Sequence, residues 1–226
     1  MESIEKIYNE NKLLVRAMDW PILSRNGNEF QYDCTEWANE FELLTTSNLN
    51  SASSTLIIPN IGISTYKNIG FLINSDYANC FHISPSDSSS KGNLENGDFV
   101  AAATNFKSLE ELVQYIKEHN SRTMNEINIV TNIDSVVGLV ANKCEHQMNV
   151  LSKIYVIQKF LKHMLNIEYP IYLYDANIGA LTKVNIDEVL EEEIISNLKT
   201  KNIFYWPDNY DEPVLTNIDN IRSKTL

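Results

Sequence analysis

The 226-residue sequence predicts an α+β fold, a mixed or antiparallel sheet with two hairpins packed against two or three helices. Three observations carry this expectation. Strand-like runs and amphipathic helical patterns come in mixed order, without a regular βαβ alternation. Two pairs of strand-like runs flank short turns rich in Asn, Asp, Ser and Gly. With 43% hydrophobic and 10% aromatic residues, the chain carries enough apolar side chains for a sizeable core. Its length suits one domain over 1–226, β-rich over 13–140 and then helical with a hairpin and an acidic helix over 144–226.

Each element has a local reason. An early strand covers 13–17, and a helix starts at Thr35-Glu36-Trp37, directly after Cys34. The β-branched and aromatic runs 69–73 and 78–83 lie around Asn74-Ser75-Asp76 and read as the first hairpin. The stretch 84–97 (SPSDSSSKGNLENG) is the one low-complexity segment and reads as a mobile surface loop. Ser108 followed three residues later by Glu111 is a capping box, and Leu109, Leu112, Val113 and Ile116 extend a helix to about His119. Strands are expected at 127–130 and 136–140, joined through Asn132-Ile133-Asp134. Segment 144–165 is the longest amphipathic helical pattern, with Met148, Leu151, Tyr155, Phe160 and Leu161 on its apolar side. The strand 171–174, the turn 175–179 and the strand 181–184 make the second hairpin. An acidic helix covers 187–198, and the tail around Trp206-Pro207 reads as irregular.

Composition narrows the function classes. Against 18 Lys and Arg stand 30 Asp and Glu, a net charge of −12. That balance argues against nucleic acid as a partner, because tracking phosphates needs clustered cations. Three cysteines, Cys34, Cys80 and Cys144, cannot form a disulfide framework, and a reducing compartment fits them best. The first residues lack the apolar core of a Sec signal, and no apolar run approaches the roughly 20 residues of a membrane span. The expected location is the bacterial cytoplasm, with export into a host cell by a Sec-independent system.

Three short pieces resemble the ADP-ribosyltransferase superfamily. "LLVRAMDWP" is similar to the strand whose Arg binds the phosphates of NAD, which here is Arg16. "LLTTSNLNSA" resembles the Ser-Thr-Ser strand that shapes the nicotinamide pocket, through Thr45, Thr46 and Ser47. "MNEINIVTNIDSVVGLV" resembles the late strand headed by a Glu, here Glu126. The resemblance implies NAD as cofactor, with Arg16, Thr45 and Ser47 binding it. Glu126 would then stabilise an oxocarbenium-like transition state, as a carboxylate facing developing positive charge does. The sequence departs from that pattern at Met124, where many members acting on proteins carry Glu or Gln, and at Thr45, which replaces the first Ser. Read plainly, the same residues are a salt-bridge partner, a helix end and a strand-start carboxylate. The general character also resembles that of secreted bacterial effectors of intracellular pathogens.

Two other constellations have a chemical rationale. Cys34, His82 and Asp175 stand in the order of a thiol hydrolase, and "YLYDANIGAL" resembles the strand and turn of papain-like bacterial effector proteases. That reading requires a thiolate of lowered pKa beside an imidazole; the plain one is a buried Cys34 and a turn-capping Asp175. Cys80-Phe81-His82 and Cys144-Glu145-His146 are two Cys-x-His units, of which the first would chelate zinc from one strand face. No metal site is expected overall. The acidic run from Glu191 to Glu193 reads as a solvated helix face or a surface for a basic partner. The leading expectation is thus a protein-modifying ADP-ribosyltransferase. Its alternatives are a non-catalytic acidic interaction protein and a cysteine hydrolase.

Overall fold

The computed structural model describes residues 3–26, 29–46, 52–65, 67–86, 94–95, 98–99, 106–201 and 203–204. Eight strands form the main sheet: β1 (Leu13–Met18), β4 (Ala52–Ile57), β5 (Ile69–Asn74), β6 (Asn79–Ser84), β9 (Glu126–Val130), β10 (Val136–Asn142), β11 (Ile171–Asp175) and β12 (Ala180–Lys183). Their spatial order is β12-β11-β10-β5-β1-β4-β9-β6, and every neighbouring pair is antiparallel except β10 with β11. A smaller sheet joins β2 (Ile22–Asn26), β3 (Glu29–Asp33) and β13 (Ile203–Phe204), and the two-residue strands β7 (Leu94–Glu95) and β8 (Asp98–Phe99) pair with each other. The helices are α1 (Ile4–Asn9), α2 (Thr35–Thr46), α3 (Leu109–His119), α4 (Gln147–Leu165) and α5 (Glu188–Thr200). The expected α+β class is what the chain adopts.

Alternation along the strands sorts side chains onto two faces. On one, Leu14, Leu56, Phe71, Ile127 and Leu139 pack with Trp37 and Phe41 of α2, Leu112 and Ile116 of α3, and Ile154, Ile157 and Phe160 of α4. On the other, Leu13, Val15, Ile57, Leu72 and Tyr172 pack with Ile4, Ile7 and Tyr8 of α1. All six residues of β5 are buried, because helices cover both faces there. Each fully buried Leu, Ile or Phe among these contributes roughly 1.5–3 kcal/mol relative to exposure, so the helix layers and the sheet hold one another in place.

Helix ends follow the sequence closely. Ser108 Oγ accepts the Glu111 amide at 3.4 Å, while the Glu111 carboxylate reaches back to the Lys107 amide at 2.8 Å. Asp187 accepts the Leu190 amide at 2.9 Å and starts α5. Asn120 and Asn166 close α3 and α4 in the left-handed region, at φ 46° and 56°.

Strand pairing departs from expectation. β5 and β6 do not form the first hairpin. A single 3-10 turn, Ser75–Tyr77, started by Asn74 whose side chain accepts the Asp76 amide at 3.1 Å, carries the chain away. Both edges of β5 are already taken, by β1 and β10, and β6 pairs instead with β9 at the far side of the sheet. Strands β9 and β10 form as expected but are separated by β4, β1 and β5. The second hairpin is present as β11 and β12. β2 and β3 form a further hairpin, marked in the sequence by Asn26-Gly27, whose register pairs Asn26 with Glu29. Most of the expected loop 84–97, and the tail after residue 204, lie outside the described residues. Among the described residues, no helix is long and apolar enough to cross a membrane.

Candidate functional site

Arg16 lies mid-β1 and is already engaged. Its Nε donates to Glu40 Oε1 of α2 at 2.7 Å, and Nη1 donates to the Ser53 carbonyl of β4 at 2.8 Å. Thr45 and Thr46 belong to the last turn of α2 rather than to a strand, a correction to the expected Ser-Thr-Ser strand, and Ser47 lies outside the described residues. The helix runs on because Leu44 is anchored in the core against the sheet and the Leu44 carbonyl accepts the Thr131 hydroxyl. Glu126 opens β9, half-buried, with Ser84 of β6 as its register partner.

The register also fixes which way these side chains face. Val15 is opposite Thr55 and Ser54 is opposite Ile127, so Arg16, Ser54 and Ile127 share the face that carries α2. Glu126, one residue before Ile127, projects from the opposite face. The sheet therefore does not bring Arg16 and Glu126 together.

The thiol arrangement is dispersed as well. Cys34 precedes α2 with no exposed surface, and burial, reinforced by the nearby Asp33 charge, pushes its thiol well above the ordinary range. That is the reverse of what a nucleophile needs. His82 lies on β6 at one edge of the sheet, and Asp175 ends β11, next to the other edge. Six strand spacings of about 4.8 Å separate those strands, about 29 Å in all. Asp175 does what the plain reading expects: it accepts the Asn177 amide at 3.0 Å and lies 3.6 Å from Lys143 Nζ.

The first Cys-x-His unit is split by a bulge. Cys80 pairs with Ile129 and His82 with Asn128, which leaves Phe81 as the extra residue. Cys80 consequently packs toward the helix-bearing core, and His82 takes the opposite face with Asn128. Alternation alone had placed both on one face, and no simple pattern signals the bulge. Cys144 and His146 are exposed before α4. Among the described residues, no group of three or more His, Cys, Asp or Glu side chains is placed to hold a metal ion.

Two features remain that are built for contact. On α5, Ile194 and Leu198 are buried and fix the helix against α4, while Glu191 accepts the Tyr155 hydroxyl and lies 3.2 Å from Lys159. This leaves Glu188, Val189, Glu192 and Glu193 exposed; the spacings 188/192 and 189/193 make them one contiguous patch. The second feature is a cavity of about 550 Å³ between α3, the turn from α1 into β1, and the link from β5 to β6. Sequence reading missed it because its walls come from three separated segments, none of which carries a motif. No family model matches the chain, and no curated protein is significantly similar to it in sequence.

Proposed function

We propose that the chain is a non-catalytic interaction or regulatory protein that engages a basic protein partner through its acidic surface, with α5 at the centre of the contact. The observation that carries this reading is the exposed patch of Glu188, Glu192 and Glu193 around Val189, which is 66% exposed, on a helix otherwise pinned to the core. A net charge of −12 adds a long-range field of the same sign. Such complementarity accelerates encounter and selects partners, and a central apolar side chain supplies surface to desolvate. Catalytic readings draw less support, because Arg16 is neutralised by Glu40 and lies on the other face from Glu126, while Cys34 is sealed in the core. On this reading the protein acts in the bacterial cytoplasm or in a host cell after Sec-independent export.

The test is retention of a defined partner from bacterial and host lysates on the immobilised chain. The wild type retains the same basic protein at low salt and loses it as ionic strength rises. A Glu188→Lys, Glu192→Lys, Glu193→Lys variant with an unchanged circular dichroism spectrum loses it even at low salt. Retention that ignores both salt and the triple reversal removes the acidic-surface reading. ADP-ribose label transferred from NAD by the wild type, and lost in Glu126→Gln, would replace it with transferase activity.

A further inference from the structure

Three lysines stand on α4, and two of them have carboxylate partners. Lys159 Nζ lies 3.2 Å from Glu191 Oε1, and Lys162 pairs with Glu168. Lys153 differs. Its half-buried side chain carries Nζ to 4.4 Å from the centre of the Trp20 ring, and among the described residues no carboxylate pairs with it. The acidic excess of the chain therefore gives this amine no fixed counter-charge. An indole face accepts an apolar group as well as an ammonium, whereas a carboxylate would hold the charge in place.

A second ammonium comes close from α5. Lys201, which caps that helix, donates to the side-chain oxygen of Asn149, one turn before Lys153 on α4. The same oxygen accepts the Asn197 amide at 3.5 Å, and that amide also donates to Ser152 Oγ at 2.7 Å. These bonds tie α4 to α5 and hold the two lysines on one small surface. Burial of Lys153 and, after it, the charge of Lys201 lower the Lys153 ammonium from the ordinary lysine range. The fold thus keeps an accessible amine next to a cation.

We propose that Lys153 is a modification site, an amine that takes the acyl group of an acyl phosphate, with Lys201 holding the phosphate of that reagent beside it. In the step, the lone pair of neutral Nζ attacks the acyl carbon. The bond from that carbon to the phosphate oxygen breaks, inorganic phosphate leaves, and a proton passes from Nζ to solvent. Lys201 acts twice, because it disfavours the charged form of Lys153 and offers a cation to the anionic leaving group. The product carries no charge at Nζ, so the repulsion from Lys201 ends and the acyl group packs on Trp20. The site does not rest on the protein-partner reading, since the acidic patch lies at the other end of α5.

The experiment treats the full, folded chain with acetyl phosphate at mildly alkaline pH and follows acetylation of each lysine by peptide mass spectrometry at early times. Lys107 and Lys117, both exposed, serve as references. Lys153 is expected to acquire label about threefold faster than either, or more, because the rate follows the neutral fraction of the amine and the nearness of the reagent. Lys201→Gln brings Lys153 down to the reference rate, whereas Lys201→Arg keeps the preference. Neither variant changes the circular dichroism spectrum or the labelling of Lys107 and Lys117. Unfolding in guanidinium chloride erases the preference. Labelling of Lys153 no faster than the references overturns the proposal. So does an unchanged Lys153 rate in Lys201→Gln, and so does a preference that survives unfolding.

Discussion

At the scale of single residues, Arg16 shows how an apparent functional arginine is turned to structural use. Its partner Glu40, on α2, has a side chain only 13% exposed, so the guanidinium is what makes that carboxylate tolerable against the sheet. Arg16→Gln leaves the carboxylate and the Ser53 carbonyl short of donors and is expected to lower stability by about 1–3 kcal/mol. The urea midpoint measures this, and part of the loss returns when Glu40→Gln is added, since the two residues are coupled. An unchanged midpoint in the single variant would mean that the pair contributes nothing. The cysteines make a second residue-scale prediction. Native iodoacetamide labelling proceeds at exposed Cys144 first, then at half-buried Cys80, and reaches Cys34 only on unfolding. Preferential labelling of Cys34 would reverse the placement of that thiol. Asn125 escaped the sequence reading altogether. Fully buried, it accepts the Leu56 amide at 2.8 Å and donates to the Leu56 carbonyl at 3.0 Å, acting as a side-chain rung between β4 and β9. Nothing in an isolated Asn distinguishes this from a turn residue, because its role exists only once β4 arrives beside it.

Among the elements, helices were legible and strand neighbours were not. Ser108 and Asp187 cap helices within a few residues of their own positions, and the apolar spacing along α3 and α4 is a local property, so sequence alone locates them. The β11–β12 hairpin was legible for the same reason: its turn is closed by Asp175 and by Gly179, whose φ of 62° suits a residue without a side chain. By contrast, the fate of β5 depends on β1 and β10, which lie far away in the chain and compete for both of its edges. The docking of α5 gives a pH prediction. Glu191 is lowered chiefly by the Tyr155 hydroxyl and then by Lys159, so its bonded carboxylate is favoured in the folded state. A depressed folded value means that the contribution is complete above the ordinary glutamate value of 4.5 and is lost as pH falls through the lower folded value. Urea midpoints of wild type and Glu191→Gln should differ by a constant amount from pH 7 to about 5 and converge below that. A gap that persists unchanged to pH 3 would show that the carboxylate charge is not what holds α5.

On the scale of the whole molecule, one sheet distributes the candidate residues instead of gathering them. Motif order along the chain suggested convergence of Arg16, Thr45, Ser47 and Glu126, but order in sequence says nothing about face, and alternation from the β1–β4–β9 register sets the face. What the sequence did carry to this scale is charge. The excess of 12 acidic residues has to lie on the surface, and α5 and the α3 cavity are two places where it is organised around apolar atoms. The proposed reading is therefore recognition of a basic partner through this charge, without turnover of NAD. The most direct measurement is incubation with labelled NAD in bacterial and host lysates, run beside Arg16→Gln and Glu126→Gln. The predicted result is no transferred label and no thermal shift with NAD in any of the three proteins. Label incorporated by the wild type and lost in both variants would contradict the account, because it would require Arg16 and Glu126 to act on one ligand from opposite faces of the sheet.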